Sequence, residues 1–403
     1  MDWSNVGDGP AGLIAERLLA DDVTDYVRFR AVCRPWRQCT ADPRAHGVLD
    51  RRFLPRRWIM LPEEEVADPD RRRRLLNVST GQCVRAHLPE LRGHDACAPT
   101  IEGLLVLRNR ATYAVRLLNP LTRQVADLPP ATTLYSLYWR AGMYDAYPRL
   151  DFEVSAAGLA DDDATVAVLF EEVQMLAVAK PGDEQWTLVK QGASFSPAIS
   201  FAGRFYCTTG TDINVVDTRD NQPPRLVVAA KINHQLSGNL DTMHLLDNDG
   251  ELLLFTCTYE ACTYEADHFP ADETREYFLE YNVSRVDLEA RKTQPIRDLG
   301  GRALFIGSTR AISVSPLAFP AIEKNSFYHE SIGWYKIVDG TIMSFHPGSD
   351  VTEACAFVNR IPRYGPHTIV QYLSQYVTTK DTSASLAEDG TSDYDAEANC
   401  VIC

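Results

Sequence analysis

The sequence lacks the long apolar runs that membrane spans and secretory leaders need. No stretch reaches the ~18 consecutive apolar residues of a transmembrane helix. The chain opens Met1-Asp2-Trp3-Ser4 instead of a basic segment followed by an apolar one, which predicts that no secretory signal peptide is present. Together these absences predict that the protein does not insert stably into membranes.

The sequence also has fewer basic than acidic residues. The chain has 40 Lys and Arg residues against 55 Asp and Glu residues, a formal net charge of −15. Binding to a phosphate backbone requires a basic surface, so nucleic acid is not expected as a partner. The ten cysteines are scattered without the spacing of a disulfide framework. This pattern is typical of a reducing compartment, and we expect a cytoplasmic or nuclear location.

Signatures of catalysis are missing too. The sequence has no Gly-rich phosphate loop, no Gly-x-Ser-x-Gly elbow and no His-Glu-x-x-His motif. Its nine histidines are dispersed, and no pair has metal-ligand spacing on a readable element. The Asp-Asn-Asp-Gly segment at 247–250 resembles the start of a calcium loop but lacks the closing Glu, so it predicts a hairpin turn. We therefore expect no enzymatic activity, no cofactor and no metal site.

The N-terminus has a helical pattern that differs from everything after it. Apolar residues recur at helical spacing from Leu13 to Leu19 and again from Val23 onward. Asp22 is suited to cap the second of these helices, and Pro35 suits the first turn of a third, short one. The pattern predicts a helical module over residues 1–43. Taken alone, it reads as a small cap on a larger domain.

A strand pattern follows a polar connector and continues from residue 44 to about 377. Short runs rich in Val, Leu, Ile, Phe and Tyr alternate with turn residues, and no convincing amphipathic helix interrupts them. A weak repeat starts at Gly103, Gly203 and Gly250, and its last step matches the ~40–50-residue period of propeller blades. Closure into a ring removes exposed sheet edges from so long an all-β chain. We predict a mainly β fold, a helical module followed by a β-propeller of six or seven blades; a pair of two-sheet sandwiches is the alternative.

The helical segment resembles an F-box, a compact module that docks a Skp-type adaptor and so joins a cullin ubiquitin ligase. An aspartate-led helix followed by RFRAVCRPWR (residues 28–37) carries the resemblance. The resemblance implies that the adaptor is bound by eight residues of this module: Leu13, Ile14, Leu18, Val23, Tyr26, Phe29, Val32 and Trp36.

The start of the module departs from the F-box pattern. Val6-Gly7 stands where an F-box has Leu-Pro, and Gly9, Pro10 and Gly12 fall where it has a helix with paired leucines. Within a helix, Gly costs about 1 kcal/mol relative to Ala, and Pro beyond the first turn costs about 3 kcal/mol. The sequence therefore predicts a short, poorly anchored first helix.

The β region resembles a family of plant F-box proteins whose C-terminal domain is a KIB-type, kelch-like β-propeller. The match extends from about residue 2 to 376 and is carried by the segments at 117–130, 201–217, 244–255, 285–307 and 315–329. It is most specific around residues 299–305 and weaker in the early blades. The resemblance implies a non-enzymatic substrate receptor, in which the F-box docks the adaptor and cullin while the propeller binds an unidentified protein. The alternative is a stand-alone protein-binding propeller with a degenerate F-box and no ligase role.

Two charged segments remain. Residues 378–403 are rich in Ser, Thr, Gly and acids, which predicts a disordered tail. The tail ends Cys-Val-Ile-Cys, a C-a-a-X arrangement that makes Cys400 a candidate prenylation site; a single lipid on an acidic tail predicts only weak membrane association.

Arg71 to Arg74 predict a solvated loop paired with the preceding acids, with a nuclear-import signal as the alternative.

Overall fold

The computed structural model describes residues 8–61, 72–135, 152–161, 164–170, 173–193, 195, 198–219, 222–233, 239–261, 277–307, 310–319, 322–329, 333–338 and 341–345. Three predictions lie outside these residues, namely the acidic tail at 378–403, the lipidation site Cys400 and the Val6-Gly7 start. None of the helices in the described ranges is both long and apolar enough to cross a bilayer.

Three helices form the N-terminal module: α1 Asp8–Asp21, α2 Val23–Val32 and α3 Arg34–Gln38. The expectation of a short first helix is wrong, because α1 has 14 residues. Pro10 falls in the first turn, where its missing N–H would have no intrahelical partner anyway. Ala11 and Ala15, one turn apart, are buried and fix α1 to the rest of the protein.

The remainder of the described chain is almost wholly strand. The strands are β1 Trp58–Met60, β2 Arg72–Asn77, β3 Cys83–His87, β4 His94–Pro99, β5 Leu105–Asn109, β6 Val115–Leu118, β7 Val125–Leu128, β8 Val154–Leu159, β9 Val166–Phe170, β10 Met175–Ala179, β11 Thr187–Gln191, β12 Ile199–Phe201, β13 Arg204–Thr209, β14 Asp212–Asp217, β15 Arg225–Lys231, β16 Asn239–Asp247, β17 Leu252–Ala261, β18 Tyr277–Asp287, β19 Lys292–Pro295, β20 Ala303–Ile306, β21 Ala311–Val314, β22 Ser326–His329, β23 Gly333–Val338 and β24 Thr341–Phe345.

The strands group into six blade-like units within the described residues. Strands β1–β3 form the first unit, and β4–β7 and β8–β11 form four-stranded antiparallel meanders. Strands β12–β15 and β16–β19 form two more, joined by a single parallel pairing of Lys231 with Lys292. The last unit has the order β21-β20-β22-β23-β24, and in it β20 and β22 run parallel.

Neighbouring units pack face to face around an axis. Strands β4, β8, β12, β16 and β21 lie next to one another in that order and form the inner wall. In β10, Met175 and Ala177 pack toward the unit before it, whereas Leu176 and Val178 pack toward the unit after it. Burial on both faces is why such strands read as unbroken apolar runs in the sequence.

Strands β1–β3 close the ring. On one side, Ile59 and Leu76 pack against Phe305 and other residues of the last unit. On the other side, Met60 packs against the β5–β6 pair of the next unit. The sheets therefore form a closed propeller in which β1–β3 lie between the last unit and the β4–β7 unit, and not a pair of sandwiches.

Two local predictions are settled by these elements. The segment at 247–250 is the hairpin turn between β16 and β17, in which Asp249 and Gly250 have positive φ and Gly250 N donates to Asp247 Oδ1 over 2.7 Å. The solvated-loop prediction is wrong for Arg72 to Arg74, because these residues lie in β2. Long arginine stems can cover apolar surface along a half-exposed strand, so a run of charge does not exclude a strand.

Candidate functional site

The helical module rests on the propeller through one face of α2. Val23, Tyr26 and Phe29 are each at most 6% exposed and share a hydrophobic core with Phe53 and Trp58. Leu75 and Leu88 of the first unit complete that core. Three of the eight residues expected to bind an adaptor are therefore packed inside this protein.

Asp22 ties the helices to the sheet. Its Oδ1 accepts from Thr24 N over 2.6 Å and so caps α2 as predicted. Its Oδ2 accepts from the indole Nε1 of Trp58 over 2.9 Å and from Nδ2 of Asn77 over 2.7 Å. Because Trp58 and Asn77 are nearly inaccessible to solvent, Asp22 satisfies two buried donors on β1 and β2.

The third helix is held by stacking and by hydrogen bonds to its end. Phe29 and Trp36 stack with ring centroids 4.3 Å apart, which leaves Trp36 half-buried. The Tyr26 hydroxyl donates to the Ala41 carbonyl over 2.8 Å, and Arg30 Nη1 donates to the Thr40 carbonyl over 2.7 Å. These contacts fix the turn after α3 beneath α2.

Other predicted adaptor-binding residues face solvent. Leu13 is 69% exposed, Ile14 is 43% exposed and Val32 is 64% exposed, while Leu18 is half-buried. On α1, Leu13 lies about 200° around the helix from the buried Ala11. These exposed residues, Leu13, Ile14 and Val32, are called the apolar outer face of the module.

A second feature is a cavity on the propeller axis that sequence reasoning missed. Its deep part, about 110 Å³, is lined by the inner strands β4, β8, β12 and β16 and by Arg310, just before β21. Its mouth, about 410 Å³, is lined by the ends of inner strands and by turns of the propeller. Arg310, Ser200 and Ile101 line both parts. We call the two parts together the axial cavity.

Glu102 and Arg310 carry opposite charges at the axial cavity and do not pair with each other. Glu102 is 4% exposed; its Oε1 accepts from Leu159 N over 3.3 Å, and its Oε2 has no hydrogen-bond partner among the described residues. The Arg310 guanidinium likewise has neither an ion pair nor a hydrogen bond to a described residue. Burial lowers the pKa of Arg310 to about 10, so the group remains charged at neutral pH.

Further arginines lie at the mouth of the cavity. Arg51, Arg56 and Arg57 line the mouth and also a groove of about 440 Å³ between α1 and the connector. Arg57 Nη1 donates to the Asp21 carbonyl over 3.3 Å, whereas Arg56 is exposed and its side chain bonds to no described residue. Arg302, also at the mouth, donates to Ser313 Oγ over 2.7 Å. These residues form a basic ridge from the axial cavity to the helical module.

Sequence reasoning had little means of finding this cavity. Glu102 lies in the loop between β4 and β5, and Arg310 precedes β21, more than 200 residues later. An isolated acid or base beside an apolar strand is common, and only ring closure brings these two together. Within the described ranges, no group of three or more His, Cys, Asp or Glu residues is placed to hold a metal ion.

Comparison with known proteins identifies the propeller. A family model described as "KIB1-4 beta-propeller" matches residues 75–352. The chain therefore belongs to the KIB1-4 β-propeller family, which confirms the expected KIB-type propeller. No curated protein matches the chain.

Solved structures similar to this chain have low sequence identity. YCF48 from Cyanidioschyzon merolae is 12% identical, with 60% of this chain and 75% of that chain covered and a TM-score of 0.31. A functionally unknown protein from Desulfotomaculum acetoxidans is 8% identical, with 72% and 80% covered and a TM-score of 0.31. Hsv2 from Kluyveromyces marxianus is 10% identical, with 57% and 68% covered and a TM-score of 0.29.

Proposed function

We propose that this member of the KIB1-4 β-propeller family is a substrate receptor of a Skp–cullin–F-box ubiquitin ligase. In this proposal the helical module docks the Skp-type adaptor, and the propeller binds the protein to be ubiquitinated. The protein carries out no chemistry itself and works in the cytoplasm or nucleus, where the ligase would operate.

The observation that supports this proposal most strongly is the apolar outer face. Five large apolar side chains are conspicuously exposed among the described residues, and three of them, Leu13, Ile14 and Val32, lie on the small helical module. Three such side chains on one small module favour an interaction site, because exposed apolar surface on a soluble protein commonly marks one. An adaptor docked on this face would cover these side chains without disturbing the core that holds the module to the propeller.

Three of the eight adaptor contacts implied by the resemblance are left out of this proposal. Val23, Tyr26 and Phe29 already pack on Phe53 and Trp58, so direct contact with an adaptor would require the module to leave the propeller. We therefore assign the adaptor contact to Leu13, Ile14, Val32 and the half-buried Leu18 and Trp36. The same burial favours the alternative, a stand-alone propeller whose helices serve as an intramolecular cap.

Titration with a purified Skp-type adaptor separates these functions. Leu13→Ser and Val32→Ser should each weaken adaptor binding by at least tenfold, because central apolar contacts contribute about 2 kcal/mol each. Both residues are exposed, so folding should be unaffected. The matched controls are Leu317→Ser and Val125→Ser, which remove exposed side chains of the same type from the propeller, 89% and 40% exposed.

The outcomes are distinct. Binding that is lost in the module variants and kept in the controls supports the ligase proposal. If the native full-length chain does not bind the adaptor at all, the ligase proposal fails and the stand-alone propeller takes its place. Equal loss in module variants and controls would show that the apolar outer face is not the contact.

A further inference from the structure

Arg310 and Glu102, two of the ionisable groups that line the axial cavity, have opposite charges, and each has hydrogen-bonding capacity that no described residue uses. Arg310 offers N–H donors, and Glu102 offers the acceptor Oε2. The ring fixes the position of Glu102, because Leu159 N donates to Glu102 Oε1 and Leu159 O accepts from Ser200 Oγ over 3.0 Å. The loop after β4 and the strands β8 and β12 are thereby joined at the cavity. A buried charge without a partner is costly, so such an arrangement is expected to take a ligand.

We propose that the axial cavity binds an acidic peptide segment of a partner protein. A ligand carboxylate pairs with the Arg310 guanidinium, and a ligand backbone N–H donates to Glu102 Oε2. The partner is the ubiquitination target if the proposed function holds, and the cavity binds the same class of segment if it does not.

The chemistry of the cavity favours a carboxylate-bearing peptide over a simple anion. A planar guanidinium matches a carboxylate with two parallel hydrogen bonds. An inorganic phosphate would satisfy Arg310 but would bring its negative charge toward Glu102 and leave Oε2 without a donor. A peptide supplies both groups, an acceptor on the side chain and a donor on the backbone.

The surroundings favour a ligand with several negative charges. Five arginines line the mouth against three acids, Glu102, Asp247 and Asp249, in a chain whose net charge is −15. Arg302 is 3.9 Å from Asp249, which leaves four arginines against two acids. Burial raises the pKa of Asp247, which makes that carboxyl easier to neutralise. The exposed Arg56 lies at the mouth and on the basic ridge, where it can meet a second acidic side chain of an extended segment.

The test uses the full-length chain without adaptor and a fluorescein-labelled octaglutamate peptide, with binding followed by anisotropy. A labelled (Gly-Ser)4 peptide of equal length is the control ligand. Arg310→Gln should weaken octaglutamate binding by about tenfold or more, and Arg56→Gln by about two- to threefold, since an exposed charge is screened by solvent and salt. Arg116→Gln is the matched control, because Arg116 is a surface arginine on β6 paired with Asp127 over 2.7 Å and does not line the cavity.

Glu102→Gln distinguishes an acceptor role from simple repulsion. If Glu102 accepts a ligand N–H, its neutral amide should bind octaglutamate less well, whereas a purely repulsive carboxylate would make the variant bind more tightly. Tighter binding by Glu102→Gln would overturn the assigned geometry. Octaglutamate should also raise the melting temperature of the native chain but not that of Arg310→Gln. A cooperative melting transition of Arg310→Gln without peptide shows that this variant is folded.

Three further results would overturn the proposal. They are equal binding of octaglutamate and the Gly-Ser peptide, unchanged binding in Arg310→Gln, and full competition by inorganic phosphate at concentrations near those of the peptide. The last would indicate a plain anion site. Adaptor binding is measured separately, so failure of the ligase proposal leaves this result unaffected, and the reverse also holds.

Discussion

Single residues at the junction of helix and sheet decide how the module is held. Asp22 caps α2 through one oxygen and accepts from Trp58 and Asn77 through the other. The capping role follows from the sequence pattern, because an aspartate preceding an apolar helical run is a common N-cap. The two longer-range bonds do not follow from it, since they depend on β1 and β2 lying beneath the helix.

Asp22→Ala should lower the free energy of unfolding by roughly 2–4 kcal/mol. Loss of the cap accounts for about 1 kcal/mol, and two buried donors are left without a charged acceptor. Asp21→Ala is the control, because Asp21 is exposed and its bond to Arg57 uses the backbone carbonyl, which alanine keeps. Urea unfolding of the three proteins measures the difference. Equal stability of the two variants would contradict the assigned role of Asp22.

At the scale of elements, the sequence predicted strands best where both faces are buried. Val166–Phe170 and Met175–Ala179 are unbroken apolar runs of strand length, and every residue in both is buried. Strands β3 and β19 lack an unbroken apolar run, and their pairing with β2 and β18 supports their extended conformation. The axial cavity was beyond sequence reasoning, since its charged residues come from distant parts of the chain.

The first helix shows how packing can outweigh local propensity. Gly9 and Gly12 disfavour a helix, yet α1 forms because Ala11 and Ala15 are buried against the propeller. A Cβ added at Gly12 would meet nothing within 4 Å. At Gly103, where φ is +81°, an added Cβ would approach the Pro55 carbonyl oxygen. Gly12 therefore only destabilises its helix, whereas Gly103 is required because a side chain there would collide with Pro55.

Alanine at these two positions should change stability in opposite directions. Gly12→Ala should raise the free energy of unfolding by about 0.5–1 kcal/mol, because it reduces the freedom of the unfolded chain without a clash. Gly103→Ala should lower it by at least about 2 kcal/mol, because both the backbone conformation and the contact with Pro55 are unfavourable. Thermal unfolding followed by circular dichroism measures both. Destabilisation by Gly12→Ala would contradict the open surroundings of that residue.

At the scale of the whole molecule, the N-terminal region is joined to the ring in two ways. Strands β1–β3 lie between the first and last of the other units, so the ring cannot close without them. The helices cover the outer part of that same unit through Val23, Tyr26 and Phe29. The sequence placed a domain boundary near Arg44, where helix pattern gives way to strand pattern. Because the helices and β1–β3 share one hydrophobic core, truncation at that boundary should remove side chains that stabilise the β1–β3 sheet.

A chain lacking residues 1–43 should therefore be less stable than the full-length protein. Removal of the helices would uncover Phe53, Trp58 and Leu75. Each large apolar side chain of α2 that no longer packs there should lower the free energy of unfolding by roughly 1.5–3 kcal/mol. We expect the free energy of unfolding, measured with urea, to fall by at least about 4 kcal/mol in total. A chain lacking residues 378–403, the tail predicted to be disordered, is the control and should match the full-length protein. If the chain without residues 1–43 unfolds at the same urea concentration as the control, the helices are an independent module, and an adaptor could then reach Val23, Tyr26 and Phe29 without any loss of propeller stability.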